Sequence, residues 1–153
     1  MSELPTDLRG RSPPFADRLL KPLLNYLLIA RQCAAGDLDL HIILMAIAIR
    51  TVQHPDFARL SEQERLEKVD IFPTLGINAR SISESSGIPR ETTRRKVAEL
   101  VKRGWVARRG SNLHFTAQAL ANLMIIREAR EQLAFDYYDL IRDEIANLSR
   151  EEG

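Results

Sequence analysis

Cysteine is almost missing from this chain: Cys33 is the one thiol among 153 residues. A single cysteine excludes an internal disulfide, and its rarity fits a reducing cytosol. Cys33 lies in an apolar stretch with Arg31 as its one near cation, so it reads as an inert thiol and not as an oxidant sensor. Glycine and proline, seven of each, are sparse and scattered. Long apolar runs are missing too. Leu19 to Ala30 is interrupted by Lys21, Pro22 and Asn25, and Ile42 to Ile49 is short, so neither reaches the roughly 20 apolar residues that span a bilayer. Glu3 and Asp7, with no apolar run after the first arginines, argue against a signal peptide. The G-x-S-x-G elbow, the P-loop, the dinucleotide fingerprint and a His-rich zinc motif are all absent. His41, His54 and His114 have no metal-ligand spacing, and no histidine lies near the serines at 81, 83, 85 and 86. The expectation is therefore a non-enzyme with no metal and no cofactor.

What is present is a globular balance, 44% hydrophobic with 28% charged, in a chain of a length that suits one domain able to bury its own core. The most informative segment runs from Ser81 to Thr116. Ser81 and Glu84 have the S-x-x-E spacing of a capping box, which predicts a helix beginning near Ser81. Gly87 ends it with a residue that tolerates positive φ, and Ile88 plugs the gap between two helices. Pro89 is read as the first residue of the next helix, with Glu91 in its first turn complementing the dipole. That helix runs to Arg103. Gly104 caps it in a left-handed conformation and Trp105 folds back on Leu100. At 100° per residue, Thr93, Val97, Leu100 and Val101 face the core, Glu91, Thr92, Arg95, Glu99 and Lys102 face away, and Arg90, Arg94, Lys96 and Arg103 flank the apolar arc. Two short strands follow, Trp105 to Arg108 and Leu113 to Phe115, joined by Arg109-Gly110-Ser111-Asn112. Trp105, Leu113 and Phe115 are the expected inward side chains, with Arg108 and Arg109 at the tip.

Charge is segregated. From Asn78 to Arg109 there are nine basic residues (Arg80, Arg90, Arg94, Arg95, Lys96, Lys102, Arg103, Arg108, Arg109) and three acidic ones (Glu84, Glu91, Glu99), a net +6 in a chain whose net charge is +1. Segregation on this scale is the electrostatic footprint of a polyanion partner. Helix, tight turn, basic helix and arginine-tipped hairpin follow one another in the order of a winged helix-turn-helix, which places one helix in the DNA major groove.

The segment GIPRETTRRKVAELVKRGWV resembles the recognition helix and the start of the wing in bacterial winged-helix transcription regulators, and is similar to the MarR type. The resemblance covers Ile77 to Thr116, about a quarter of the chain. It implies sequence-specific binding of double-stranded DNA, with base contacts from Pro89 to Arg95 and the hairpin over residues 105–115 on backbone or minor groove. A pocket for a small-molecule effector rests on the resemblance alone. Thr93 and Ser86 stand where such proteins usually carry apolar residues, and are expected to weaken the seam between the two helices. Within the helix, Arg95 points most directly away from the core and is assigned to a base edge, for which guanine O6 and N7 suit a guanidinium. Arg90, Glu91 and Thr92 lie in the leading turns, where Glu91 can accept from a cytosine amino group. Arg94, Lys96, Lys102, Arg108 and Arg109 are assigned chiefly to phosphates, and Arg80 is counted with the DNA-binding residues. The competing readings are a winged module that binds protein and a nonspecific architectural DNA binder without an effector.

The fold expected from the whole chain is mainly α: a three-helix core with a hairpin wing over 37–116, flanked by added helices. Met1 to Pro14 reads as a flexible arm. Phe15 to Ala35 reads as a helix, with Pro22 near its first turns, and Gly36-Asp37 breaks it. Asp39 to Gln53 is a second helix, apolar over most of its surface and expected in the centre. Ser61 and Glu64 form another capping box, for a short helix to about Val69, and Ile77 is a candidate third strand. Thr116 caps a last helix in which no glycine or proline occurs from Ala117 to Leu148, giving about 45 Å of continuous rod. Its apolar stripe exceeds what a small core can cover. A homodimer through the N- and C-terminal helices is therefore expected, with two recognition helices roughly 34 Å apart on a palindromic site; the competing arrangement folds the last helix back on residues 15–35 of the same chain. A cytoplasmic, nucleoid-associated location follows from that reading, and no membrane partner is expected.

Overall fold

A computed structural model describes residues 14–67 and 70–151. The expected arm over 1–14 lies outside the described residues except for Pro14, as does the expected end of the short helix at Val69. The described chain is mainly helical with one small antiparallel sheet. The described residues divide into two compact units, one within 31–124 and one made of 14–30 with 125–151.

The unit over 31–124 carries the core. Helix α2 (Leu38–Val52) starts at Asp37, whose carboxylate accepts the Leu40 N–H at 3.1 Å. Its Leu40, Ile43, Leu44 and Ile47 are buried, but Ile42 and Ile49 are exposed, so the helix is central on one face only. Two short helices follow, α3 (Pro55–Arg59) and α4 (Glu62–Glu67). The capping box at α4 is formed: the Ser61 N–H donates to Glu64 at 2.9 Å, and the Glu64 N–H donates to Ser61 Oγ at 3.2 Å. Helices α5 (Ala79–Ser86) and α6 (Arg90–Lys102) then pack on α2, burying Ile82, Ile88, Val97 and Leu100. Strands β1 (Val106–Arg109) and β2 (Asn112–Phe115) pair with Val106 opposite Phe115 and Arg109 opposite Asn112. The connecting turn is two residues, Gly110 and Ser111, with Gly110 at φ 58°.

The hairpin departs from its expected form in two places. The inward hairpin residues are Val106, Leu113 and Phe115; Trp105 precedes the strand and is half-buried. Ile77 adds no strand. Its carbonyl accepts one bond from the Leu113 N–H at 2.9 Å, and the far side of β2 is met instead by Ile71 and Phe72. Phe72 is fully buried, edge-on to Phe57 at 5.2 Å and stacked on Phe115 at 6.3 Å.

The continuous last helix is also interrupted. Helix α7 (Ala117–Asn122) stops at Leu123, and α8 (Met124–Glu151) restarts at the boundary of the two units. Ala119, Leu120 and Leu123 pack on the core of their unit, and that demand breaks the rod without a glycine or proline to announce it. At 28 residues α8 is about 42 Å long. In the second unit α8 lies against α1 (Pro14–Cys33) in the same chain. Tyr137 donates to the Leu19 carbonyl at 3.2 Å, and Arg18 pairs with Asp143 and Glu144 at 3.0 Å each. Ala30, Ile126 and Leu140 are the buried residues among those described there. The fold-back within one chain is thus formed, and it leaves other apolar side chains of both helices open.

Thr116 is a structural joint. Its buried hydroxyl donates to the Gly104 carbonyl at 2.7 Å and accepts the Ala119 N–H at 3.1 Å, closing the end of α6 and the start of α7 with one side chain. Thr116→Val keeps the shape and removes both bonds. It is expected to cost about 2 kcal/mol, read as a lower urea midpoint at unchanged slope, with Thr116→Ser recovering most of the loss.

Candidate functional site

The turn between α5 and α6 explains its own polar residues. Helix α5 begins at Asn78, whose side chain accepts the Ser81 N–H at 2.9 Å. The capping box expected at Ser81 and Glu84 is therefore not formed: the helix starts two residues earlier, which places Ser81 and Glu84 inside it. Gly87 takes the left-handed conformation at φ 74°. Pro89 is the N-cap, not the first helical residue, and Thr93 donates its backbone N–H to the Pro89 carbonyl at 2.8 Å. The Ile88 carbonyl accepts both the Ser83 hydroxyl at 2.7 Å and the Thr93 hydroxyl at 3.3 Å. Ser86 Oγ accepts the Ile88 N–H at 3.2 Å. Thr93 and Ser86 do not weaken the seam; with Ser83 they satisfy a sharp turn whose polar groups water does not reach.

Helix α6 ends as read from the sequence. Gly104 has φ 72°, the Trp105 N–H returns to the Leu100 carbonyl and the Gly104 N–H to that of Val101, both at 3.0 Å. This is a Schellman closure. The buried arc is Thr93, Lys96, Val97 and Leu100. Val101, expected inside, is 38% exposed. Lys96, expected on phosphate, is only 8% exposed and its ammonium is ion-paired with the Asp37 carboxylate. The pair joins α6 to the cap of α2. Burial by itself raises the Asp37 carboxyl, but the bond from Lys96, the N–H groups of Leu40 and Asp39 and the Lys96 charge outweigh it and hold the group below the ordinary carboxylate range. Lys96 is a structural cation and is withdrawn from the candidate surface.

The remaining cations divide into two sets. In the first, carboxylates hold the guanidiniums. Glu84 takes Arg80 at 2.8 Å from within its own helix and Arg90 at 3.2 Å from the start of α6. Glu91 takes Arg94 through two bonds, at 2.7 and 3.0 Å. The Arg80 bond first, then the charges of both arginines, keep the Glu84 carboxyl low; the Arg94 bond does the same for Glu91. Arg103 pairs with Glu99 and lies over the Trp105 ring at 5.2 Å. In the second set are Arg95 and Lys102 on α6 and Arg108 and Arg109 on β1. All four are exposed, and none makes a salt bridge with another described residue, though the Arg95 charge adds to that of Arg94 in lowering the Glu91 carboxyl. Thr92 is half-buried and Pro89 exposed beside them.

Sequence reasoning found the helix, the turn, its glycine and the exposed arginines. It missed Asp37, whose cap role was legible in an aspartate following Gly36, and the Asp37–Lys96 pairing, for which a separation of 59 residues leaves no signal. Cys33 is half-buried, and burial pushes its thiol up, away from reactivity. His54 caps α3 by accepting the Asp56 N–H at 3.2 Å, and His114 bonds the Phe72 carbonyl at 3.1 Å. Among the described residues no cluster of histidine, cysteine, aspartate or glutamate has the makings of a metal site, and no single helix is long and apolar enough to cross a membrane. No family model, no curated protein and no solved structure matches the chain.

Proposed function

We propose that this chain is a winged-helix transcription regulator of the cytoplasm that binds double-stranded DNA as a homodimer, similar to the MarR type. Helix α6 enters the major groove, and the β1–β2 hairpin meets backbone or minor groove. One observation carries the reading. The residues of α6 that are not needed for packing present Arg95 and Lys102 outward, and the hairpin adds Arg108 and Arg109, with no described carboxylate paired to any of the four. A merely solvated helix ordinarily mixes the signs of its charges, as Glu91 and Arg94 do beside them. Arg95 reads a base edge; Lys102, Arg108 and Arg109 hold phosphates.

The paired arginines favour a selective binder over an architectural one. Glu84 and Glu91 neutralise Arg80, Arg90 and Arg94, which lowers affinity for arbitrary DNA. The test is a selection of bound genomic fragments at two salt concentrations, followed by Arg95→Ala on the recovered site. That substitution is expected to cost about 1–3 kcal/mol and to relax preference at one base pair. No enrichment of any sequence, or unchanged preference in the variant, ends the specific reading.

A further inference from the structure

Helix α1 has two apolar faces. Leu19, Pro22, Tyr26, Ile29 and Ala30 form the covered arc. Leu20, Leu23, Leu24, Leu27 and Leu28 fall on the opposite arc and are 38–62% exposed. Five contiguous leucines on one helix face form an apolar patch of the kind that often marks an interaction surface. They are also ordered. Asp17, Leu20, Leu24, Leu27 and Arg31 follow alternating steps of three and four, the seam of a heptad, with Leu23 and Leu28 at the flanking positions. The seam begins with an acid and ends with a base, each seven residues from Leu24.

That pattern is its own complement in one orientation. We infer that α1 pairs with α1 of a second copy of this chain, antiparallel about a two-fold axis near Leu24, so that Arg31 of each copy reaches the turn carrying Asp17 of the other. A parallel pairing sets Asp17 against Asp17 and Arg31 against Arg31 and is repelled at both ends. Asp17 already bonds Lys21 at 2.7 Å, but both side chains are exposed, and the carboxylate keeps capacity for a second donor. This inference deepens the dimer part of the preceding proposal and makes no use of DNA binding, so the two fail separately.

The full chain is tested by sedimentation equilibrium. The wild type is expected to be a dimer and Leu24→Lys a monomer with unchanged helical circular dichroism. Asp17→Arg and Arg31→Asp are each expected to raise the dissociation constant about tenfold, and the double reversal to restore it to within about threefold. Residues 17 and 31 stand about 21 Å apart along one helix, so rescue requires two copies. In a Cys33→Ser background, a short bismaleimide should couple Asp17→Cys to Arg31→Cys in a mixture and leave Asp17→Cys alone uncoupled. A monomeric wild type, whether free or bound to lipid vesicles, overturns the proposal. So does a double reversal no tighter than the single ones, or coupling of Asp17→Cys to itself.

Discussion

Lys96→Ala is expected to lower the unfolding free energy by about 2–3 kcal/mol, somewhat less than the ~3–5 kcal/mol of a fully buried pair, because the Asp37 side chain keeps 34% of its surface in water. The loss has two parts. Asp37 is left without its cation, and the stem of Lys96 no longer fills the space between α6 and the cap of α2. Three companion variants separate them. Lys96→Met keeps the stem and should recover part of the loss. Asp37→Asn keeps an acceptor for the Leu40 N–H but strands the buried ammonium; Asp37→Ala removes the cap as well and should cost about 1 kcal/mol more. The pH dependence has a definite sign. The folded carboxyl of Asp37 lies below its unfolded value, so the unfolded state binds the proton more readily. The stabilisation is complete above the ordinary carboxylate pKa and is lost as pH falls through the lower, folded value. Urea titrations between neutral pH and the acid limb check this: the gap between wild type and Asp37→Asn should narrow in acid. A Lys96→Ala protein as stable as wild type at neutral pH would falsify the structural role. Whatever loss of DNA affinity this variant shows should follow the fraction folded, without the change in salt slope that a phosphate contact produces.

The contrast between Lys96 and Arg95 shows which parts of the site the chain spells out locally. Apart from the helix starts, where Asn78 and not Ser81 caps α5 and Pro89 lies one position outside α6, much of what is decided close by in sequence was legible: the left-handed Gly87 and Gly104, the return of Trp105 to Leu100, the Ser61–Glu64 box, and the outward direction of Arg95. Each depends on residues three to six positions apart. A helical wheel also ranks cations by angle, and it placed Lys96 on the flank of the apolar arc. Whether a flanking lysine reaches solvent or bends inward depends on what the neighbouring element offers it, and Asp37 arrives from another helix. The same reason accounts for the break at Leu123. Nothing in Ala117 to Leu148 disfavours a continuous helix, yet Leu120 and Leu123 are drawn to the core of the unit over 31–124. Thr93 and Ser86 were misjudged because polarity was weighed by residue type. The Ile88 carbonyl and N–H, which those hydroxyls satisfy, are left without helical partners by a turn whose geometry is known only once both helices are placed.

Removing Arg95, Lys102, Arg108 and Arg109 together, as alanines, is expected to abolish specific DNA binding while leaving the fold intact. All four side chains are exposed and unpaired with any described residue, and surface substitutions of that kind each change stability by about 0.5 kcal/mol or less. On the DNA side the effect is large. Each phosphate-holding cation removed makes the slope of log K against log salt shallower by about 0.9, so three of them per copy, six per dimer, take away about five units, and the base reading by Arg95 goes with them. At physiological salt the affinity should fall by at least about a thousandfold. Arg94→Ala is the matched control. It lies on the same helix and removes the same charge, but its guanidinium is already held by Glu91 through two bonds. Its effect on the slope should therefore be well under one unit, since the freed Glu91 and the missing arginine both alter a pair that was neutral before DNA arrived. If the quadruple variant and Arg94→Ala shift the slope alike, the binding surface is set by net charge alone, and the distinction between held and open cations has no bearing on recognition.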